Sequence, residues 1–297
     1  MRRKRAPFAT VAGVKYRHAH HAGNFADVHK HVTLLALLAA LERKEKGFQY
    51  LETHAGRGIY DLAESASESQ SGFERLAGAD CAAPELREYL ACVAQLRRER
   101  RALRLYPGSP WLAASRMRPQ DRAVFIEWRP EEARALERTL AQTAAGPGIR
   151  VESGDGFERL RAVLPPPERR GLTLIDPPYE RPRHDFERVR AAAAEALRRF
   201  ATGVLAVWYP IKDERDTAAW HAALARDIAQ EMLVAELWLF PRDSRVALNG
   251  SGMLIVNPPY QLAERLPAWL GELHARLDTG RGGGMSVRPL GGPAARQ

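Results

Sequence analysis

The tetrapeptide Asp176-Pro177-Pro178-Tyr179 has the residue types needed to hold an amino group of a planar molecule. It follows the apolar segment 171–175, which predicts a buried strand, and ligands of open α/β sheets bind at the carboxyl ends of strands. Two successive prolines lack backbone N–H groups, which leaves carbonyls free to accept. The Asp176 carboxylate and the Pro177 carbonyl could therefore bind an –NH2 group and direct its lone pair at an incoming methyl group. Tyr179 would stack on the base, which must be unstacked or flipped to arrive there.

A second segment, Asn257-Pro258-Pro259-Tyr260, also ends an apolar strand-like run. Asn-Pro-Pro-Tyr is a variant of the same loop among amino-methyltransferases, so the two copies compete. The first copy lies where strands and helices alternate, whereas the second belongs to a helix-free hairpin near the end of the domain. We therefore predict that 176–179 is the reactive loop and that 257–260 is structural.

Acidic side chains at successive strand ends are typical of a nucleoside site. Gly56 and Gly58 would let the backbone approach a ligand after the first strand. Glu127 ends the next strand and could accept from both hydroxyls of a ribose, while Asp155 could accept from the amine of a cofactor adenine. Taken singly, each acid is more often a helix cap than a ligand, and the turn lacks the third glycine of a dinucleotide fingerprint.

These residues need a sheet that brings the strand ends together. The predicted strands are 48–52, 123–127, 149–152, 172–176, 204–209, 233–239 and 252–257. The predicted helices are 26–46, which reads as amphipathic, 131–145, 157–164, 185–200 and 217–230. Their alternation predicts an α/β fold with a mostly parallel sheet covered on both faces, and the last two strands predict an antiparallel hairpin at one edge. Residues 62–104 read as a small helical insertion, and the Gly-rich tail from Thr279 as loosely ordered.

Charge favours a polyanionic partner. The net charge is +9, and residues 1–31 hold seven Lys or Arg against one acid, although a basic surface also serves solubility alone. Cys81 and Cys92 lack metal-site spacing, and the five histidines between 18 and 31 match no usual zinc pattern, so we expect no metal. No apolar run is long enough for a membrane span and no signal core follows Met1, which predicts a cytoplasmic protein.

Several motifs together point to a family. Residues 16–31 form an unusual Tyr/His/Lys-rich segment, and four shorter motifs follow it: 53–56, 106–110, 174–179 and 208–210. In this order they closely resemble the 23S ribosomal RNA adenine-N6 methyltransferases of the large-subunit methyltransferase J group. The likeness runs from about Tyr16 to Tyr260. Glu52 stands where members of the family can carry Asp, which keeps the carboxylate.

The resemblance implies a Rossmann-like class I S-adenosylmethionine-dependent methyltransferase. Its domain would comprise 16–61 and 105–278, with a helical insertion subdomain at 62–104, a basic leader at 1–15 and a flexible tail at 279–297. The matching positions imply cofactor contacts from His31, His54, Ser109, Glu127, Asp155, Gly156 and Asp176. Asp176 would be the catalytic residue, with Lys30 beside the site, and Tyr16, Tyr179 and Pro177 would meet the RNA. The N-terminal motif would fold over both.

The predicted reaction is direct, in-line methylation of N6 of an adenine in 23S rRNA, with the base flipped into the 176–179 pocket. The expected partner is 23S rRNA, free or in early assembly, and the protein is expected to be a monomer. Two other enzymatic functions stay open, DNA adenine methylation and protein glutamine methylation, because the same loop grips any planar amino group. A non-enzymatic RNA-binding protein on a degenerate methyltransferase fold is the alternative from a different class.

Overall fold

The computed structural model describes residues 21–64, 70–143, 148–242, 244, 246 and 248–291. The strands in these residues are β1 (Gln49–Glu52), β2 (Ile59–Asp61), β3 (Leu105–Pro107), β4 (Arg122–Glu127), β5 (Ile149–Ser153), β6 (Gly171–Ile175), β7 (Val204–Ile211), β8 (Met232–Trp238), β9 (Gly250–Val256) and β10 (Gly284–Pro289). The helices are α1 (Phe25–Glu42), α2 (Phe73–Leu76), α3 (Pro84–Arg100), α4 (Ser109–Ala114), α5 (Pro130–Ala141), α6 (Gly156–Val163), α7 (Pro182–Arg199), α8 (Glu214–Asp227) and α9 (Leu262–Leu277).

Eight strands form one sheet in the order β10-β8-β9-β7-β6-β1-β4-β5, and β2 pairs with β3 separately. Five neighbouring strands of this sheet run parallel, in the order β7-β6-β1-β4-β5, so β1 lies between β6 and β4. The chain order therefore reverses at β1 and β6, which creates the topological switch point where open α/β sheets bind ligands. This Rossmann-like architecture confirms the predicted fold class.

The carboxyl-terminal part of the sheet differs from the prediction in two ways. Strands β8 and β9 pair antiparallel as expected, but they do not form the edge, because β10 covers β8 from Gly284 to Pro289. The expectation of a flexible tail from Thr279 is thus wrong for these residues. The glycines that suggested disorder serve packing instead: a Cβ on Gly284 would lie 2.6 Å from the Trp238 ring.

Helix α1 lies at the centre of the molecule. The Asn24 side chain caps it by accepting from the backbone N–H of Asp27 at 2.9 Å. The sequence predicts an amphipathic helix here, yet 14 of its 18 residues are buried, because α3, α4, α9 and β9 contact it from several sides. Because the core packs against α1 on several sides, it fixes the positions of the polar residues that α1 carries.

The segment 62–104 contains a 3-10 turn at Leu62–Glu64 and helices α2 and α3. Phe73, Tyr89 and Leu96 from these helices belong to the same buried apolar cluster as the leucines of α1. The segment and the sheet domain therefore share one core. No helix within the described ranges is long and apolar enough to cross a bilayer.

Candidate active site

A cavity of about 310 Å³ opens at the carboxyl ends of the parallel strands, next to the switch point. Its wall takes Asp27, Lys30 and His31 from α1, His54 from the turn after β1, and Ser109 from the start of α4. The loop after β6 contributes Asp176, Pro178, Tyr179 and Glu180, and the end of β7 contributes Trp208, Pro210 and Lys212. Residues distant in the sequence thus meet where the fold predicts a ligand site.

Asp176 follows directly after β6 and is 5% exposed. Its Oδ2 lies 2.7 Å from Nζ of Lys30, and the same ammonium lies 2.9 Å from Oδ1 of Asp27. Burial alone lowers the pKa of Lys30, but the facing carboxylates of Asp176 and Asp27 outweigh it and raise that pKa well above its ordinary value. Lys30 is therefore a permanent cation between two acids.

Asp27 completes this charge triad. Burial raises the pKa of its carboxyl, yet the opposing effects of His31 and Lys30 are larger and bring it down to about 2. The carboxylate also accepts from the backbone N–H of Gly23 at 3.1 Å. The start of α1 is thus tied to the position of the lysine.

His31 links the cavity to the 62–104 segment. Its Nδ1 lies 3.1 Å from the Tyr106 hydroxyl, which lies 2.9 Å from the hydroxyl of Tyr89 on α3. Burial lowers the pKa of His31 to about 4, so the ring is neutral near pH 7. A neutral imidazole can donate from one nitrogen and accept at the other, which suits a polar ligand.

Ser109 is oriented by a buried carboxyl group. Its hydroxyl donates to Oε1 of Glu52 at 2.5 Å, and the Tyr50 hydroxyl donates to Oε2 at 2.9 Å. Burial is the main cause that raises the pKa of Glu52 to about 8. Because the hydroxyl proton of Ser109 points inward, its lone pairs remain for a donor in the cavity.

Three of the seven predicted cofactor residues lie outside the cavity lining. Glu127 is 6% exposed and accepts from the backbone N–H groups of Gly56 at 2.7 Å and Arg129 at 2.8 Å, so it holds the glycine turn. Asp155 caps α6 and accepts from Arg188 at 2.8 Å. A Cβ on Gly156 would lie 1.9 Å from the Thr53 carbonyl oxygen, so close packing explains this glycine. All three lie at neighbouring strand ends.

The predicted stacking role of Tyr179 is not what the structure presents. The side chain is 1% exposed, its hydroxyl donates to the Trp208 carbonyl at 2.9 Å, and its ring packs 5.2 Å from that of Phe186. The ring therefore closes the cavity wall without offering an open face. Pro177 is likewise buried outside the lining, and Pro178 lines the cavity in its place.

Trp208 and Ser251 are residues that the sequence reasoning missed as part of the site. Trp208 is half-buried in the wall, and its Nε1 donates to Oγ of Ser251 at 3.0 Å. The same oxygen lies 3.0 Å from Nδ1 of His29 and donates to the Ala26 carbonyl at 3.5 Å. Ser251 thus joins α1, β7 and β9. The Trp208–Pro210 motif was the available signal for Trp208, whereas an isolated serine in an apolar strand gives none.

The second Pro-Pro-Tyr segment, 257–260, lies at the edge of the sheet opposite to Asp176. Because β9 runs antiparallel to β7, its carboxyl end points away from Asp176. The Asn257 side chain donates to the carbonyls of Ala201 at 2.9 Å and Gly203 at 2.8 Å, and Tyr260 is 82% exposed. These contacts support the predicted structural role of 257–260.

The predicted RNA contact Tyr16 and the leader 1–15 lie outside the described residues. Among those that are described, no group of three or more His, Cys, Asp or Glu side chains is arranged to hold a metal ion. Cys81 and Cys92 are buried free thiols.

Comparisons with known proteins point to one family. Residues 45–288 match the family model described as "Ribosomal RNA large subunit methyltransferase D, RlmJ". The chain is 38% identical over 268 residues to ribosomal RNA large subunit methyltransferase J of Escherichia coli K12, covering 89% of this chain and 94% of that protein. The protein of that name from Haemophilus influenzae is 37% identical over 257 residues, 85% of this chain and 90% of the relative.

A crystal structure of a Legionella pneumophila protein superposes with a TM-score of 0.81 at 34% identity, over 90% of this chain and 98% of that one. Each of these matches covers most of the chain. The chain therefore belongs to the ribosomal RNA large subunit methyltransferase J family of S-adenosylmethionine-dependent enzymes.

Proposed function

We propose that this chain transfers a methyl group from S-adenosylmethionine to N6 of an adenine in 23S rRNA. The observation that carries the proposal is the buried Asp176 carboxylate, which faces an ammonium, Lys30, across 2.7 Å. A carboxylate that binds a cationic amine of the protein can also accept from the N–H of a substrate amine. The names of the two curated relatives support the proposal as far as methylation of large-subunit ribosomal RNA.

The cavity has the donors and acceptors that S-adenosylmethionine requires. Ser109 offers lone pairs and His31 is neutral, so they suit the ammonium and carboxylate of the amino-acid part. Glu127 and Asp155 lie at the next two strand ends, on the side where the nucleoside part would extend. When bound, the cofactor supplies an electrophilic methyl group.

The protein's part in the reaction is positioning. An aromatic amine is weakly basic, so no strong base has to remove a proton before attack. Asp176 would accept one N–H of the adenine amine and fix the direction of the nitrogen lone pair. Holding two reactants in the reactive geometry supplies a large part of the reduction in the activation barrier, so one buried carboxylate that orients the amine is sufficient in this proposal.

Lys30 is the counter-charge of the Asp176 carboxylate. It neutralises Asp176 before substrate arrives, and Asp27 holds the ammonium when the substrate amine takes its place. The adenine has to leave its stack to reach a residue that is 5% exposed. Trp208 is half-buried in the cavity wall, 5.7 Å from the Tyr179 ring, and would offer the base an aromatic surface in place of the closed-off Tyr179 ring.

The proposal also includes the oligomeric state of the protein and the state of its RNA substrate. We propose that the chain acts as a monomer. The net charge of +9 supports binding to naked RNA, either free or early in ribosome assembly, in the cytoplasm.

The test is transfer of labelled methyl groups to protein-free 23S rRNA, duplex DNA and a glutamine-containing protein, side by side. We expect label on the RNA, and mass mapping of its digest to find N6-methyladenine. Label on DNA or protein alone would refute the proposal. Calorimetry with S-adenosylmethionine tests the non-enzymatic alternative, which requires that no binding be detected.

A further inference from the structure

Lysine is rare in this chain, and its distribution is uneven. Arginine supplies 39 of the 45 cationic Lys and Arg side chains, and six are lysines. Four lysines lie in the described ranges: Lys30 and Lys212 line the cavity, whereas Lys44 and Lys46 lie in the turn between α1 and β1 at the other edge of the sheet. Lys30 pairs with Asp27 and Asp176, whereas Lys212 lines the cavity without an assigned role.

Lys212 lies at the mouth of the cavity, above Asp176. In the parallel pairing of β6 and β7, Ile175 is level with Val207, so Asp176 is level with Trp208. Lys212 comes four residues later, which is about 13 Å farther along the strand direction at the usual rise per residue. Asp176 is buried and Lys212 is exposed. The two therefore mark the floor and the rim of one cavity.

The carboxylates next to Lys212 already have partners. Asp213 caps α8 by accepting from the backbone N–H of Arg215 at 2.8 Å. Glu214 pairs with Arg242 at 2.9 Å, and Asp216 pairs with Arg183 at 3.2 Å. Among the residues that the structure describes, none forms an ion pair with Lys212. Its ammonium is available to an external anion.

We infer that Lys212 binds a backbone phosphate beside the flipped nucleotide of the RNA substrate. A nucleotide that enters the cavity base-first leaves its sugar and phosphates at the rim, where Lys212 lies. An ammonium is a compact charge with three donors, which suits phosphate oxygens approaching from varied directions. This contact positions the RNA without reading its sequence. The inference rests on the proposed function, because it requires a nucleic acid with a base in the cavity.

The test compares Lys212→Gln with Lys212→Arg and with the matched control Lys46→Gln. Lys46 is exposed and undergoes the same change of charge at the opposite edge of the sheet. Three quantities are measured for each protein: the Kd for a 23S rRNA fragment at several salt concentrations, the KM for that fragment in methyl transfer, and the Kd for S-adenosylmethionine.

For Lys212→Gln we expect an RNA Kd and KM about tenfold higher at low salt, since one charged hydrogen bond is lost. The slope of log Kd against log salt should become shallower by about 0.7 to 1, the effect of one phosphate contact. Lys212→Arg should keep the slope, and Lys46→Gln should match the wild type. The cofactor Kd should not change in any variant.

Two results would overturn the inference. Equal salt slopes for Lys212→Gln and the wild type would show that this side chain meets no phosphate. A weaker cofactor Kd with unchanged RNA binding would assign Lys212 to the carboxylate of S-adenosylmethionine instead. Failure of the proposed function is distinguishable from both, because it appears in the wild type, as absence of methyl transfer to RNA.

Discussion

The ammonium of Lys30 lies 2.7 Å from the Asp176 carboxylate, so an amine of the protein already occupies the acceptor that we assign to the substrate amine. Asp27 lies 2.9 Å from the same ammonium and can retain it. Substrate binding then becomes an exchange of one amine for another on Asp176. Such an exchange keeps the Asp176 carboxylate hydrogen-bonded, because the neutral substrate amine still donates to it, while the Lys30 ammonium stays paired with Asp27.

Asp176→Ala should lower the rate of methyl transfer by about 100-fold or more, because it removes the group that orients the amine. The fold should persist, since Lys30 keeps Asp27 as a partner. Single-turnover assays on RNA measure the first effect, and circular dichroism the second. Near wild-type transfer by a folded variant would show that Asp176 is not the orienting group.

Lys30→Met should lower the free energy of unfolding by about 3–5 kcal/mol, because the buried Asp176 and the partly buried Asp27 lose their counter-charge. The pKa of Asp27 should rise from its value of about 2 for the same reason. Adding Asp27→Asn should recover part of the loss, and urea unfolding of both single variants and the double variant measures the coupling. Strictly additive effects would contradict a shared charge network.

Glu52→Gln should change how stability depends on pH. Burial raises the pKa of Glu52 from 4.5 to about 8, so the folded state holds a proton that the unfolded chain releases at lower pH. The stabilisation from this group is complete below pH 4.5 and is lost as the pH rises to about 8. The variant cannot titrate here. The wild type should therefore lose unfolding free energy relative to the variant as the pH rises from about 5 to 8. Urea titrations across this range measure the difference between the two proteins, and a difference that does not change with pH would refute the prediction.

Ser251→Ala should destabilise the fold by about 2 kcal/mol and also reduce turnover. The Ser251 hydroxyl donates to Ala26, so it accepts from Trp208 and from Nδ1–H of His29, and its loss leaves both rings without an acceptor. Trp208→Phe removes one of these donors, so the two changes should be less than additive.

Ser115→Ala is the control for Ser251, since Ser115 donates to the Leu112 carbonyl, away from the cavity. It should leave turnover intact. Additive effects of Ser251→Ala and Trp208→Phe on stability would show that the Ser251 hydroxyl does not hold the indole.

Asn257 variants separate the two Pro-Pro-Tyr loops. Asn257 has φ of +52°, and its amide holds the carbonyls of Ala201 and Gly203. Asn257→Gly loses these bonds without backbone strain, whereas Asn257→Ala loses them and adds strain, so Ala should be less stable by about 1 kcal/mol. Turnover per folded molecule should equal that of the wild type in both. Loss of turnover in the stable Gly variant would reopen the choice between the loops.

The parts of the site that depend on the backbone could be predicted from the sequence. Alternating strands and helices place the residues that follow β1, β4, β5 and β6 at one edge of the sheet, which is enough to bring His54, Glu127 and Asp176 into one region. Helix α9 escaped prediction because Pro267 interrupts the segment, although apolar residues recur there at helical spacing.

Side-chain orientation could not be predicted in the same way. Whether Tyr179 faces a ligand or the core depends on Phe186 and Trp208, which approach it from α7 and β7. The burial of α1 on all sides likewise depends on which elements pack around it. Such facts arise from contacts between distant segments, for which a local pattern has no signal.

Strand β10 has a practical consequence for anyone who shortens this protein. It supplies the outer hydrogen-bonding partner of β8, whose residues from Met232 to Leu237 are buried. A chain cut after Asp278 would leave β8 with a row of unpaired backbone groups along an apolar strand. Exposed edges of this kind recruit strands from other molecules, so the shortened protein should aggregate. The glycine-rich segment that contains β10 therefore protects the protein from self-association, although its composition suggests that it could be removed.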